Sequence, residues 1–491
     1  MEFSDLSIQN PWWNDLNAIF NDSKIMDVEK SKIKWTPRMK KYLHLNNDVV
    51  YLLRGPRQVG KTTLCKIIVK EELQKRKPCD IFYFTCDLVS SNNELKEIIE
   101  LYLKWSLSQS KEKKIIILDE ISRIKNWELT IKYINDVYSI SGKTYILTGS
   151  SSWDLKHSIE RLPGRKGELQ GEQNHKILLP MKFSEYVEII DPNINSKLIE
   201  MNLKNNEIRV EAFNEIISGN SDKWINPLLP YQEKLNVLLD EYLIHGGIMN
   251  AVNQYKENTK IENTVYEMYL QYLIGDMIKM GKNEIITKKI LTSVINHKGK
   301  LVGWEDISKQ MDISSTITIT EYVEMLSALF VLNVYHAFDQ NLKQPKYKAK
   351  KKIQIPNPFF FHAIKNYVEN PGANYYANTI NFVMSENKSL LIESLCGDHF
   401  SRMAYNHAPT DLYNQSESVF YVKNSKGESI DFIIKLNGKM VPVEVKYQNQ
   451  IKKSDYNNIR KFKTGIIASK NTYEHLDNYV SIPISILLLF V

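Results

Sequence analysis

Four short apolar runs, Val49–Leu53, Ile81–Thr85, Ile115–Leu118 and Tyr145–Thr148, punctuate the first third of the chain. Each is bounded by polar or turn residues and separated from the next by a longer amphipathic stretch. Apolar strands alternating with helices predict an α/β domain built on a mainly parallel sheet. From about Pro180 to about Gly281 the pattern is almost wholly helical, with asparagine-rich breaks such as Asp191–Asn195. Residues 285–352 read as helices ending in a strand pair. Trp304–Met311, a turn at Asp312 and Ser315–Leu329 predict a helix-turn-helix, and Val331–Ala337 with Lys346–Ile355 predict the strands of a wing. From about Pro356 the pattern is mixed α and β and ends in a predicted strand, Ile484–Val491. The implied segments are 1–250, 251–352 and 353–491. No repeat in the solenoid or propeller range is visible.

Composition changes this picture little. The 491 residues are 43% hydrophobic and 25% charged, as in folded soluble proteins, which excludes wholesale disorder. The 64 basic against 57 acidic residues leave +7, compatible with a nucleic-acid partner without demonstrating one. Cys65, Cys79, Cys86 and Cys396 show no paired spacing, so neither a disulfide framework nor a zinc site is indicated. The N-terminus lacks the charged and apolar regions of a signal peptide. The longest apolar run, Ile486–Val491, is far short of the ~20 residues a membrane helix needs. A cytoplasmic chain with no membrane partner is expected.

Gly55-Pro56-Arg57-Gln58-Val59-Gly60-Lys61-Thr62 fits G-x-x-x-x-G-K-[ST], between the first predicted strand and a helix that opens at Thr63. Glycines at both ends let the backbone curl so that successive N–H groups converge on phosphate oxygens, with a helix N-terminus behind them. Lys61 would reach the β- and γ-phosphates of ATP, and the Thr62 hydroxyl would ligate Mg²⁺. The strand Lys114–Leu118 ends in Asp119 and Glu120. Asp119 is placed to hold Mg²⁺ and Glu120 to orient and deprotonate the attacking water, an arrangement for hydrolysis. Thr148 or Ser150, ending the next strand, would sense the γ-phosphate or cap the following helix. Arg161 and Arg165 would neutralise transition-state charge, in cis or from a neighbouring subunit, or form exposed salt bridges. In trans, Arg165 requires a homo-oligomer. Trp12, Trp13 and Trp35 precede the first strand and are expected to be packing anchors rather than base stackers.

Asn10-Pro-Trp-Trp13, Leu53–Thr63, Leu118-Asp-Glu-Ile-Ser122, Asn126-Trp127, Leu147–Ser152, Arg161-Leu-Pro-Gly-Arg165 and Leu179–Glu185 follow one another in order. Together they resemble the archaeal AAA-type ATPases of the extended P-loop class, which pair an ATPase with a C-terminal domain of the PD-(D/E)XK nuclease kind. The resemblance implies an N-terminal AAA-type ATPase with a helical lid over 1–250, a helical, winged-helix connector over 251–352, and a restriction-endonuclease-like α/β domain over 353–491. It is specific over residues 10–185 and looser beyond.

Ser429–Leu436 and Lys439–Lys446 flank Asn437-Gly438, a two-residue hairpin turn. That turn pairs Leu436 with Lys439 and, counting back, sets Asp431 opposite Glu444. Ile430, Phe432 and Ile434 then form one apolar face with Val445, Val443 and Val441. Opposed carboxylates repel, and a divalent cation between them reverses that sign. The alternative is a solvated face on which Lys446 neutralises the acids. Asp…Glu-x-Lys on a hairpin resembles the PD-(D/E)XK constellation, which implies Asp431 and Glu444 as Mg²⁺ ligands and Lys446 as the group that positions water or stabilises the developing phosphorane charge. In that pattern Glu393 matches the upstream helical glutamate and would be a further metal ligand. Pro442 opposite Ile433 suggests an edge strand or a bulge.

Lys343, Lys346, Lys348, Lys350, Lys351 and Lys352 crowd the predicted wing, where they would meet DNA phosphates or form a solvated loop. Lys452, Lys453, Arg460, Lys461 and Lys463 follow the hairpin. The leading expectation is an ATP-hydrolysing, DNA-associated enzyme with Mg²⁺-dependent cleavage by Asp431, Glu444 and Lys446. The alternatives are a nucleotide-controlled DNA- or protein-binding switch that does not cut, and a partner-regulated signalling ATPase.

Overall fold

The predicted apolar runs become strands of a five-stranded sheet: β1 (Val49–Arg54), β2 (Ile81–Thr85), β3 (Lys114–Asp119), β4 (Lys143–Thr148) and β5 (His175–Ile177). The computed structural model describes residues 2–139, 142–149, 169, 172–297, 299–369, 372, 374–407, 415–423, 429–436 and 438–491. These fall into two compact units, Met1–Leu179 and Pro180–Val491.

In the first unit the strand order is β2-β3-β4-β1-β5, with every pair parallel. β4 therefore lies between β1, which leads into the glycine-rich loop, and β3, which ends in the acids. β1, β3 and β4 are buried along their whole length, as continuous Val/Ile/Leu runs in parallel sheets are. The edge at β2 is closed by the N-terminal segment. Trp12 and Trp13 both donate through Nε1 to the Ile81 carbonyl, at 3.3 and 3.0 Å. Asn10 accepts from the Tyr83 N–H at 2.7 Å and donates to the Tyr83 carbonyl at 2.9 Å. Gln9 accepts from the Thr85 N–H at 2.8 Å. Side chains thus satisfy alternate residues of an edge that would otherwise offer a pairing template. The expected anchoring role of Trp12 and Trp13 is met in this way, and Trp35 packs against the same core.

The second unit begins with helices, among them Phe183–Ile190, Asn206–Ile217, Gln232–His245 and Asn263–Lys279. The sequence boundaries near 250 and 353 both fall inside this unit. Long-range bonds explain why: Asn357 donates to the Gly246 carbonyl at 2.7 Å, Arg402 to the Pro180 carbonyl at 2.7 Å, and His399 accepts from the Phe183 N–H at 3.2 Å. Helices Glu284–Asn296, Trp304–Met311 and Thr316–Ala328 pack together beside a three-stranded sheet. That sheet has the order β6 (Leu301–Val302), β10 (Lys351–Gln354), β7 (Asn333–Tyr335), all antiparallel. Between β7 and β10 the chain forms β8 (Ala337–Asp339) and β9 (Gln344–Lys346). β8 pairs antiparallel with β9, and on its other edge it joins β11 (Val419–Lys423) of a larger sheet.

That larger sheet also holds β12 (Ser429–Leu436), β13 (Lys439–Lys446), β14 (Gly465–Ser469), β15 (Glu474–Leu476) and β16 (Tyr479–Pro483), in the order β15-β16-β14-β13-β12-β11-β8-β9. The predicted terminal strand is displaced. β16 ends at Pro483, and Ile484–Leu487 is a helical turn, because the following apolar run is buried on all sides rather than on alternate faces. The hairpin keeps its expected register from Leu436↔Lys439 to Phe432↔Val443. Pro442, however, is not on an edge strand, because β13 runs between β12 and β14. Its missing N–H is tolerated because the ladder to β14 starts only at Val443. Nor is only one hairpin face apolar: Phe432 meets Tyr335 and Phe400, while Ile433 on the opposite side packs with Tyr456 and Ile459.

The helix Lys388–His407 lies against β12 through Gly397. A methyl at that position would stand 2.6 Å from the Tyr335 hydroxyl and 2.8 Å from the Phe432 ring. Gly397→Ala is expected to lower stability by about 1–3 kcal/mol through overpacking. A chemical denaturation midpoint equal to wild type would show that the helix is not held this close.

Candidate functional site

The loop between β1 and the helix Lys61–Glu72 carries the sequence predicted to cradle phosphates. Gly60 caps that helix at φ 99°, in the left-handed region, and Gln58 is also left-handed at φ 59°. These turns curl the loop back over the helix N-terminus. A side chain at Gly55 would run into the Leu178 carbonyl, so the first glycine is required by packing as well as by the turn. Pro56 and Val59 are buried beneath the loop, Arg57 is half-buried, and Gln58 is exposed. Lys61 is buried, its ammonium donating to the carbonyls of Gly55 and Pro56, both at 2.9 Å. A phosphate entering the loop would meet that ammonium at its mouth.

Asp119 is the hub of the site. Its carboxylate accepts from the Thr62 hydroxyl at 2.7 Å, from the Tyr83 hydroxyl at 3.0 Å and from the Thr148 hydroxyl. Thr148 also accepts from the Glu120 N–H at 3.3 Å. The helix after the loop, the middle of β2 and the end of β4 thus converge on the carboxylate that ends β3. The Thr62 hydroxyl and Asp119 carboxylate are hard oxygen donors in contact, the donor set Mg²⁺ takes, so the residues present fit that ion. Glu120 is held left-handed at φ 57°, turning the chain out of the strand immediately after the hub. Thr63 lies half-buried in the first helical turn beside this group. Tyr83 is the member that sequence reasoning missed. Its alternation within Ile81–Thr85 placed it on a strand face, but only the parallel pairing Thr85↔Asp119 brings that face to the acid. Burial and the neighbouring Asp119 push the Tyr83 hydroxyl far above its ordinary pKa, so it remains a donor. Arg161, Arg165 and Ser150 lie outside the described residues.

In the second unit the predicted acids do come together. Glu393 on the helix Lys388–His407, Asp431 on β12 and Glu444 on β13 meet on one side of the sheet, with Lys446 paired to Glu444 at 2.9 Å. The ladder between β12 and β13 gives way at the acids. The Asp431 N–H donates to the Glu444 carboxylate at 3.3 Å, and the Val445 N–H donates to the Asp431 carboxylate at 3.0 Å. Against β11, β12 carries one extra residue: Phe420 pairs with Ile433 but Val422 with Ile430, a bulge on β12 that spans Asp431.

A lysine stands among these acids. Lys352 of β10, expected on a DNA-facing wing, is buried, with its ammonium 2.8 Å from Glu393 and 3.2 Å from Asp431. It also donates to the Asp431 carbonyl at 3.1 Å and lies over the Phe432 ring at 4.8 Å. Gln354, two residues along the same strand face, donates to Glu393 at 2.9 Å. Among the described residues no group of three acidic, histidine or cysteine side chains is arranged to hold a metal ion. The period-2 pair Lys352/Gln354 was the available signal for this site, but it read equally well as a basic wing. Lys351 is likewise turned inward, donating to the Tyr347 carbonyl at 2.8 Å and lying over Trp304. Lys346 pairs with Asp339 at 3.0 Å and Lys350 with Asp306 at 2.9 Å. Lys343 and Lys348 are exposed, as are Lys452, Lys453, Arg460, Lys461 and Lys463.

Burial lowers the affinity of Lys352 for its proton, but Asp431 and Glu393 outweigh it and hold the ammonium above its ordinary pKa. Burial, with Asp431 beside it, raises Glu393. Burial first and Asp431 second push Glu444 up to about 7, against the opposing pull of Lys446.

Residues 47–187 match the family described as AAA domain. Residues 236–370 and 391–487 match two domains of unknown function, DUF8612 and DUF4143. An uncharacterized protein of Methanocaldococcus jannaschii is 26% identical over 341 residues, covering 68% of this chain and 64% of its own length. The matched region therefore spans less than two thirds of that relative. A second uncharacterized protein of the same organism is 25% identical over 386 residues, covering 78% of this chain and 72% of its own. Among solved structures, a Walker-type ATPase of Pyrococcus abyssi has a TM-score of 0.37 at 15% identity, covering 67% of this chain and 94% of that one. The five-stranded parallel sheet and the AAA match agree: the N-terminal region carries an AAA-type P-loop ATPase domain. No helix among the described residues is long and apolar enough to cross a membrane.

Because Glu444 keeps its proton in the folded chain to a higher pH than in the unfolded chain, its contribution is complete below about 4.5 and is lost as pH rises toward about 7. Wild-type stability relative to Glu444→Gln is expected to fall across that window, by up to ~1 kcal/mol per pH unit. Parallel denaturation series from pH 4 to pH 8 that never diverge would remove this assignment.

Proposed function

We propose that the chain is an ATP-hydrolysing, nucleotide-controlled switch that holds DNA through its second unit. The observation that carries the ATPase part is the hub at Asp119, with Thr62, Tyr83 and Thr148 gathered on it and Lys61 in the loop above. The loop N–H groups and Lys61 would receive the β- and γ-phosphates. Mg²⁺, when bound by Thr62 and Asp119, would neutralise phosphate charge. Glu120 follows the hub and would orient the attacking water and accept its proton, while Thr148, bonded to both acids' segment, would register the γ-phosphate. Arg165, acting in cis or from a second copy in a homo-oligomer, would complete the charge balance.

Support for DNA as the partner comes from the helices Trp304–Met311 and Thr316–Ala328 beside the sheet β6-β10-β7, the layout of a winged helix. Of the wing lysines, Lys343 and Lys348 are exposed, and Lys346 and Lys350 lie at the surface in single ion pairs that phosphate would compete for. Lys351 and Lys352 are not part of that surface. A second reading, Mg²⁺-dependent cleavage by Glu393, Asp431, Glu444 and Lys446, is favoured by their convergence and opposed by the ammonium lodged among them.

Glu120→Gln is expected to reduce ATP hydrolysis ~100-fold or more while nucleotide binding persists, and Lys61→Ala to reduce both. Wild-type turnover in Glu120→Gln would refute the assigned base. Duplex DNA affinity is expected to fall with salt, and Lys343→Ala with Lys348→Ala to flatten the log–log slope by about 2. A wild-type affinity indifferent to salt would leave the ATPase without DNA as its partner.

A further inference from the structure

We infer that Lys352 is the resident cation of the Glu393–Asp431–Glu444 cluster: its ammonium lies between the Glu393 and Asp431 carboxylates, where a metal held by both would have to sit, and the second unit's acid site works without metal. The oxygen inventory supports this. Asp431 has one carboxylate oxygen on Lys352 and the other on the Val445 N–H. Glu444 has one on Lys446 and the other on the Asp431 N–H. Glu393 meets both Lys352 and Gln354 through one oxygen. A metal would have to displace a buried ammonium that makes three oxygen contacts and lies over an aromatic ring. A divalent ion differs from an ammonium in needing several oxygens at once around a single point, whereas here both oxygens of Asp431, both of Glu444 and one of Glu393 are already on donors.

The ammonium also does what a metal could not. Lys352 belongs to β10, the central strand of the sheet beside the helix-turn-helix, while Asp431 belongs to the large sheet and Glu393 to the helix packed on it. A covalently delivered cation therefore ties the sheet beside the helix-turn-helix to the C-terminal sheet. This goes beyond the ATPase reading and is independent of it, since neither Lys61 nor Glu120 enters the argument.

The test measures Mn²⁺ binding to the full, nucleotide-free chain by electron paramagnetic resonance, with folding checked by circular dichroism. Any Mn²⁺ held at Thr62 and Asp119 is common to all variants and cancels. Wild type and Asp431→Asn are expected to give superimposable binding curves. Lys352→Met is expected to gain a Mn²⁺ site that Lys352→Met combined with Asp431→Asn loses again. A wild-type site that disappears in Asp431→Asn, with Glu393→Gln as the second acid variant, would overturn the inference. A folded Lys352→Met that gains no site would also overturn it. Should Lys352→Met not fold, the wild-type comparison with the two acid variants still decides the matter.

Discussion

A carboxylate at the end of a buried strand must be answered by donors or by a cation, and both units of this protein are organised around that requirement. In the first, Asp119 is answered by three hydroxyls, from Thr62, Tyr83 and Thr148. Hydroxyls donate to the carboxylate without bringing a cation to it, so its oxygens stay a hard donor set of the kind Mg²⁺ takes. In the second, Asp431 and Glu393 are answered by the Lys352 ammonium, a cation that offsets one unit of their charge. The same residue type, an aspartate on a strand, acquires a different chemistry from its neighbours.

What gathers those neighbours is sheet order. With β4 between β1 and β3, Thr148 is delivered between the phosphate loop and the acidic strand end, and Tyr83 arrives from β2 on the other side. The N-terminal residues 9–13 then close the β2 edge with side-chain amides and indoles rather than with another strand. In the second unit a single extra residue bulges β12 at Asp431, and the hairpin's last rungs are replaced by carboxylate-to-backbone bonds.

Local signals read well where a motif is contiguous. The strand, glycine loop and helix around Lys61 lie within one stretch of chain, and the hairpin turn before Lys439 sets a register that holds over five rungs. Signals failed where the answer came from a distant strand. Lys351 and Lys352 looked like wing lysines because nothing near them in the chain is acidic; Lys351 lies over Trp304, about fifty positions away, and the acids around Lys352, Glu393 and Asp431, are about forty and eighty positions away. The terminal run after Pro483 looked like a strand because short apolar runs buried on all sides do not reveal their period.

By itself, then, the chain's order of residues determined the parallel α/β core, the phosphate loop with its acidic partner strand, and the pairing of the C-terminal hairpin, because turns, strand patterns and helix starts are set by residues within a few positions of one another. Tertiary structure alone decided which distant groups meet: that Tyr83 joins the Asp119 hub, that the β8–β9 pair joins the larger sheet, and that Lys352 lies among acids rather than at the surface. Coulomb interaction depends on distance through space, and a linear sequence does not carry that distance until the sheets are assembled.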